Sequence, residues 1–106
     1  RLWFAVRVDL DIGLHTRGMT AEEAVEELVR RLPMERRHAE AEVLWLCQSP
    51  TYGLCDAVGR RELLALRESA AARDGAAFSL RGFHDGVLGY GALPVSLIRW
   101  GMGLDG

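Results

Sequence analysis

The 106-residue sequence has only two cysteines, Cys47 and Cys55, and they do not form a Cys-x-x-Cys pair. A disulfide framework is therefore excluded, and the expectation is two buried or half-buried thiols in a cytoplasmic protein. No apolar run approaches the roughly 20 residues of a membrane-spanning helix, so no membrane partner is expected. The net charge is only −2, with a pI near 5.9 and no basic stripe. The electrostatic footprint of a nucleic-acid binder is missing, and no nucleic-acid partner is expected. There is no initiator Met. The apolar opening soon meets Arg7, Asp9 and Asp11, and it lacks the basic region and cleavage site of a signal peptide. The pattern starts in mid-course at Arg1-Leu2-Trp3, so a further segment is expected to precede it.

Catalytic signatures are also scarce. There is no H-E-x-x-H pair, no G-x-S-x-G elbow, and no catalytic cysteine signature. The glycines after Gly82 follow no strand and make no phosphate loop. Taken alone, the residues offer no metal ligand set and no complete catalytic site.

What is present is ordinary for a globular chain: 49% apolar and 26% charged residues. The length suits one small helical domain, or part of one, with a thin stability margin. The first segment is ambiguous. Val6, Val8, Leu10, Ile12 and Leu14 alternate with polar residues and glycine, as a strand would. The same segment at helical spacing puts Arg7, Asp11 and His15 on one stripe, with Trp3, Phe4, Val6, Leu10 and Leu14 largely buried. No second alternating run exists to pair with a strand, so a helix is expected.

Thr20-Ala21-Glu22-Glu23 reads as a capping box, opening a helix with the apolar stripe Ala24, Val25, Leu28, Val29, Leu32 and ending at Pro33. A third helix is predicted from Glu35 to Gln48, burying Ala39, Val43, Leu46 and Cys47 and stopped by Ser49-Pro50. A fourth is predicted from Tyr52 to Arg73 with Leu54, Val58, Leu63, Leu64 and Leu66 as its apolar positions and Gly75 as its stop. Gly59 inside it is read as a point of close helix approach. Ser79 caps a short helix through Phe83, Val87 and Leu88. After Gly89, Gly91 and Pro94 a last turn, Val95 to Trp100, leads to a glycine-rich tail expected to fray. The fold class is all-α, a bundle or array of about five to six helices, expected as the C-terminal portion of a larger helical protein.

The best polar constellation is Arg7, Asp11 and His15. Arg7 and Asp11, one turn apart, can form a helix ion pair worth a few tenths of a kcal/mol. Asp11 can orient the His15 ring one turn on. The competing reading is a surface salt-bridged stripe, or a histidine attracted to a helix C-terminus. His38 and Glu42 read as part of a solvated helix face, and His84-Asp85 as polar first-turn residues.

A set of short motifs runs in order: Asp11-Ile12-Gly13-Leu14-His15, Gly18-Met19-Thr20, Glu22-Glu23-Ala24, Glu42-Val43, Pro50, Gly59 and Leu66-Arg67. Gly75, Phe78-Ser79-Leu80, Phe83-His84-Asp85, Leu88, Gly91 and Leu93-Pro94 complete it. Together they resemble the C-terminal region of the bacterial proteins grouped as domain of unknown function 885, from about Arg7 to Val95. The resemblance implies a longer, mostly helical parent that looks like a zinc-dependent peptidase. Its H-E-x-x-H-type motif and the glutamate completing the metal site would lie upstream, so zinc is expected in the parent and not in this chain. It also implies that Asp11 and His15, beside Arg7, contact a peptide substrate or its transition state. One position departs from the family pattern. Three residues before Gly59, where members usually have tyrosine, stands Asp56, whose carboxylate cannot donate to an oxyanion and would repel it.

Two expectations follow. One is an enzyme portion, lining the substrate cleft of a peptidase and inactive alone, with the upstream part of the parent chain as its partner. The alternative is a non-catalytic helical interaction or structural module. In either case apolar surface, with Trp3 and Phe4 as candidates, is expected to drive association with the parent or with a second copy.

Overall fold

A computed structural model describes residues 2–104. Among them are six α-helices, one 3-10 turn and no strand. The helices are α1 (Leu2–Thr16), α2 (Ala21–Arg31), α3 (Arg36–Gln48), α4 (Tyr52–Asp74), α5 (Leu80–Gly89) and α6 (Val95–Gly101), with the 3-10 turn over Gly75–Ala77. The first segment is thus a helix, as the lack of a partner strand required. The tail expected to fray includes Asp105 and Gly106, which lie outside the described residues, as does Arg1.

The chain forms two compact units, Arg1–Val58 and Gly59–Gly106. The first unit is a three-helix core. Val6 and Leu10 of α1, Ala24, Val25 and Leu28 of α2, and Ala39, Val43 and Leu46 of α3 are all buried together. Within each helix the buried positions are linked by spacings of three or four, with Ala24 and Val25 both one turn before Leu28, so each helix presents one apolar face. Local signals set the ends. The Thr20 hydroxyl accepts from the Glu23 N–H at 3.1 Å, so the expected cap forms through the Thr20 side chain. Gly18 adopts φ +68 in the link before it, where a side chain would be strained.

The second unit has its own smaller core of Leu66, Ala70, Phe83 and Ile98, with Phe78, Val87, Val95 and Met102 packed against it. The Ser79 hydroxyl accepts from the Gly82 N–H at 2.9 Å and starts α5. Gly75, at φ +54, follows the last residue of α4 as its stop signal required.

Several expectations change. Cys47 is exposed, although it stands one helical turn after buried Val43; Cys55 is exposed as well. Of the apolar positions predicted for α4, only Leu66 is buried; Leu54 and Leu64 are half-buried, and Val58 and Leu63 are exposed. Gly59 faces open space, with nothing within 4 Å of a hypothetical Cβ. The close approach is at Gly53, where a Cβ would stand 3.0 Å from the Arg7 carbonyl oxygen and 3.0 Å from Leu46 Cδ2. Trp3 and Phe4 are half-buried; among the large exposed apolar side chains are Leu44, Trp45, Leu88 and Trp100.

Candidate functional site

Two of the three residues of the α1 stripe are buried, while His15 is exposed. Arg7 is 8% exposed and Asp11 3% exposed. The stripe faces the end of α3 and the beginning of α4, and glycine at position 53 allows that approach. A methyl group there would meet the backbone of Arg7 and the side chain of Asp11.

Burial changes the partners. Arg7 does not form the expected one-turn pair with Asp11. Its Nη1 donates to Asp56 Oδ2 at 2.7 Å, and its Nε lies 2.8 Å from Glu42 Oε1. The second contact is an ion pair off the hydrogen-bonding line, since neither Nε nor Oε1 has a hydrogen bond. The guanidinium also lies 5.7 Å from the Trp3 ring centroid and 5.8 Å from that of Tyr52, within cation–π range. A largely desolvated cation therefore has two carboxylates and two aromatic rings around it, drawn from α1, α3 and α4. Removing one partner from such a set leaves a buried charge uncompensated, which is far costlier than losing a surface pair.

Glu42 is the residue that sequence reasoning missed. Assigned to a solvated face, its side chain is only 17% exposed. The signal that could have found it was its spacing, three residues after Ala39 and four before Leu46, which puts it beside the buried stripe. His38, on the same helix, is exposed, as are His84 and Asp85. The structure brings none of these into the cluster.

Asp11 works in two directions. Its Oδ1 accepts the Thr51 N–H at 3.2 Å, tying α1 to the turn that starts α4. Thr51 has φ +72, a left-handed conformation that a β-branched residue rarely adopts, so this bond holds a strained turn. The same Oδ1 lies 3.1 Å from His15 Nδ1, which is also 3.1 Å from the Asp11 carbonyl oxygen. His15 is therefore held through Nδ1 in the last turn of α1. Its Nε2 has no hydrogen-bond partner among the described residues. The other Asp11 oxygen, Oδ2, is buried without a hydrogen bond.

An imidazole fixed through Nδ1 presents Nε2 as an acceptor when neutral and a donor when protonated. The pair can thus receive or give one proton or hydrogen bond at a defined point. It cannot replace a metal site. Among the described residues, no group of three or more His, Cys, Asp or Glu side chains is placed to hold a metal ion. The residues present therefore do not fit the zinc that the resemblance implies for the parent. Among the described residues, no helix is long and apolar enough to cross a membrane.

The fold and this cluster define an all-helical protein whose first unit carries a partly buried ionic junction beside one oriented histidine. The family model described as "Bacterial protein of unknown function (DUF885)" matches residues 1–102, and the chain belongs to that family. No curated protein and no solved structure matches it.

Proposed function

We propose that this chain is the C-terminal helical portion of a zinc-dependent peptidase. In this reading the Arg7, Asp11 and His15 face lines one wall of the substrate cleft. The observation that carries the reading is the Asp11–His15 pair. His15 Nδ1 hydrogen-bonds the Asp11 carbonyl oxygen and lies 3.1 Å from the carboxylate of Asp11, a residue 3% exposed, while the other ring nitrogen has no hydrogen-bond partner among the described residues. The Asp11 carboxylate has a structural task of its own in accepting the Thr51 N–H, so the feature that points to function is His15 Nε2, on an exposed residue and without a hydrogen-bond partner among the described residues.

The roles divide by chemistry. His15 Nε2 is the group that meets the substrate, accepting from a peptide N–H or, when protonated, donating to the carbonyl oxygen. Asp11 positions His15. Arg7 offsets the carboxylates of Glu42 and Asp56 and holds α1 against the start of α4. Asp56, the departure from the family pattern, is engaged by Arg7 at 2.7 Å, so its charge is partly neutralised. This reading takes its zinc from a preceding part of the parent, because no group of the described residues is placed to hold one.

The test uses the full-length natural protein, purified with zinc and assayed on a peptide library. His15→Ala is expected to lower kcat/KM about 100-fold or more, the usual weight of one positioned acid–base group, with helical and zinc content unchanged. An upstream sequence without an H-E-x-x-H motif, or unaltered turnover in the His15→Ala protein, overturns the reading. Peptide turnover by residues 1–106 alone overturns it as well. A full-length protein that neither binds zinc nor cleaves peptides would favour the helical interaction module.

A further inference from the structure

We propose that the groove between α2 and α3 receives helix α4 of a second copy of this chain, through the strip Arg60, Leu63 and Arg67. The groove is open and has a volume of about 1110 Å³. Buried Val25 and Val43 lie beneath it, and Glu22, Glu23, Glu40 and Leu44 line its sides. Leu44 is 60% exposed, one helical turn after Glu40. Glu26 and Arg36 also line the groove and pair with each other, and the Arg36 charge acts on Glu22 and Glu40 as well. Among the described residues, Glu22, Glu23 and Glu40 have no ion-pair partner. The helix dipole accounts for acidic residues in the first turn of α2. It accounts for neither Glu40, in the second turn of α3, nor the apolar Leu44 beside it.

The same chain carries a surface of matching pattern. Residues 60, 63 and 67 recur at helical spacing and share one face of α4. Arg60, Leu63 and Arg67 are all exposed. Neither arginine has an ion pair among the described residues. The two lie about 10 Å apart along the helix with the leucine between them. A basic–apolar–basic strip thus meets an acidic–apolar groove, the pattern of a helix laid into a groove. All 13 basic residues are arginine, the side chain suited to bidentate pairing with carboxylates at interfaces. A net charge of only −2 leaves little long-range repulsion between copies.

The test is charge exchange, read by analytical ultracentrifugation of the purified protein over a concentration series. The wild type is expected to self-associate, and to do so more weakly as ionic strength rises, because the pairs lie at a solvated rim. E22K/E40K and R60E/R67E are each expected to lose at least tenfold in association constant. An equimolar mixture of the two is expected to recover association, since each reversed surface then meets its opposite. Circular dichroism confirms that the variants fold. Should a double variant fail to fold, Leu44→Ser replaces it and is expected to weaken association as well. A wild type that stays monomeric overturns the proposal, including the case where the groove instead binds a free basic amphipathic peptide. Undiminished self-association of the reversed variants, or a mixture that does not recover, also overturns it.

Discussion

Gly53 and Gly59 stand in the same helix, yet replacing each by alanine should act in opposite directions. In a helix interior, alanine is favoured over glycine by about 1 kcal/mol. At Gly59 nothing lies within 4 Å of the new methyl, so Gly59→Ala should stabilise by up to that amount. At Gly53 the methyl would meet the Arg7 carbonyl oxygen at 3.0 Å, Leu46 Cδ2 at 3.0 Å and Asp11 Cβ at 3.2 Å. A leucine methyl can swing away. A backbone oxygen inside α1 cannot, because α1 is anchored by buried Val6 and Leu10. Inserting a methylene into a packed site typically costs about 1–3 kcal/mol. The propensity gain is smaller near a helix start, so Gly53→Ala should be destabilising by about 1–2 kcal/mol. For a chain of this size each kcal/mol moves the thermal midpoint by roughly 4–8 °C. Urea and thermal unfolding followed by far-ultraviolet circular dichroism measure both variants. If Gly53→Ala stabilises as much as Gly59→Ala, the close approach of α4 to α1 is wrong, and the ionic junction built on it is wrong too.

Further outcomes follow from the same junction. Thr51→Gly should stabilise by about 1 kcal/mol, because glycine adopts the positive φ at no steric cost and keeps the N–H that Asp11 accepts; a loss of stability in urea unfolding would refute the strained turn. Arg7→Met should cost about 2–4 kcal/mol, somewhat below the usual figure for a broken buried pair because Asp56 is exposed. Adding Glu42→Leu should restore part of that loss, a coupling that a double-mutant cycle reads directly. In the second unit, the hydrogen bond from Arg73 holds the Asp74 carboxyl below its ordinary pKa. A depressed folded pKa contributes stability above the unfolded carboxylate value, and that stability is lost as pH falls through the folded one. Both side chains are exposed, so the effect is small and fades with salt. An NMR titration should show the Asp74 midpoint rising to the ordinary value in Arg73→Ala.

Local chemistry makes much of the helical scaffold legible in the residues themselves. Thr20 and Ser79 announce two helix starts because a hydroxyl can satisfy a free N–H there. Pro33, Ser49-Pro50 and Gly75 announce stops because each breaks the backbone pattern in its own way. The first helix is legible by elimination, since a strand without a partner leaves its polar backbone unpaired. Arg7, Asp11 and His15 are legible as one stripe, because helical spacing alone puts them on one face. What that stripe touches is a long-range matter. Asp56 and Glu42 stand 49 and 35 residues from Arg7, and Thr51 stands 40 from Asp11; no local pattern pairs such positions. Which glycine matters is equally hidden. Gly53 and Gly59 are the same residue in the same helix, and only the approach of α1 to one of them gives it a role. The sequence by itself determined where most of the helices begin and end and which side chains share a face. Tertiary structure alone decided that Arg7 and Asp11 are buried rather than solvated, because burial depends on which helix arrives to cover a face.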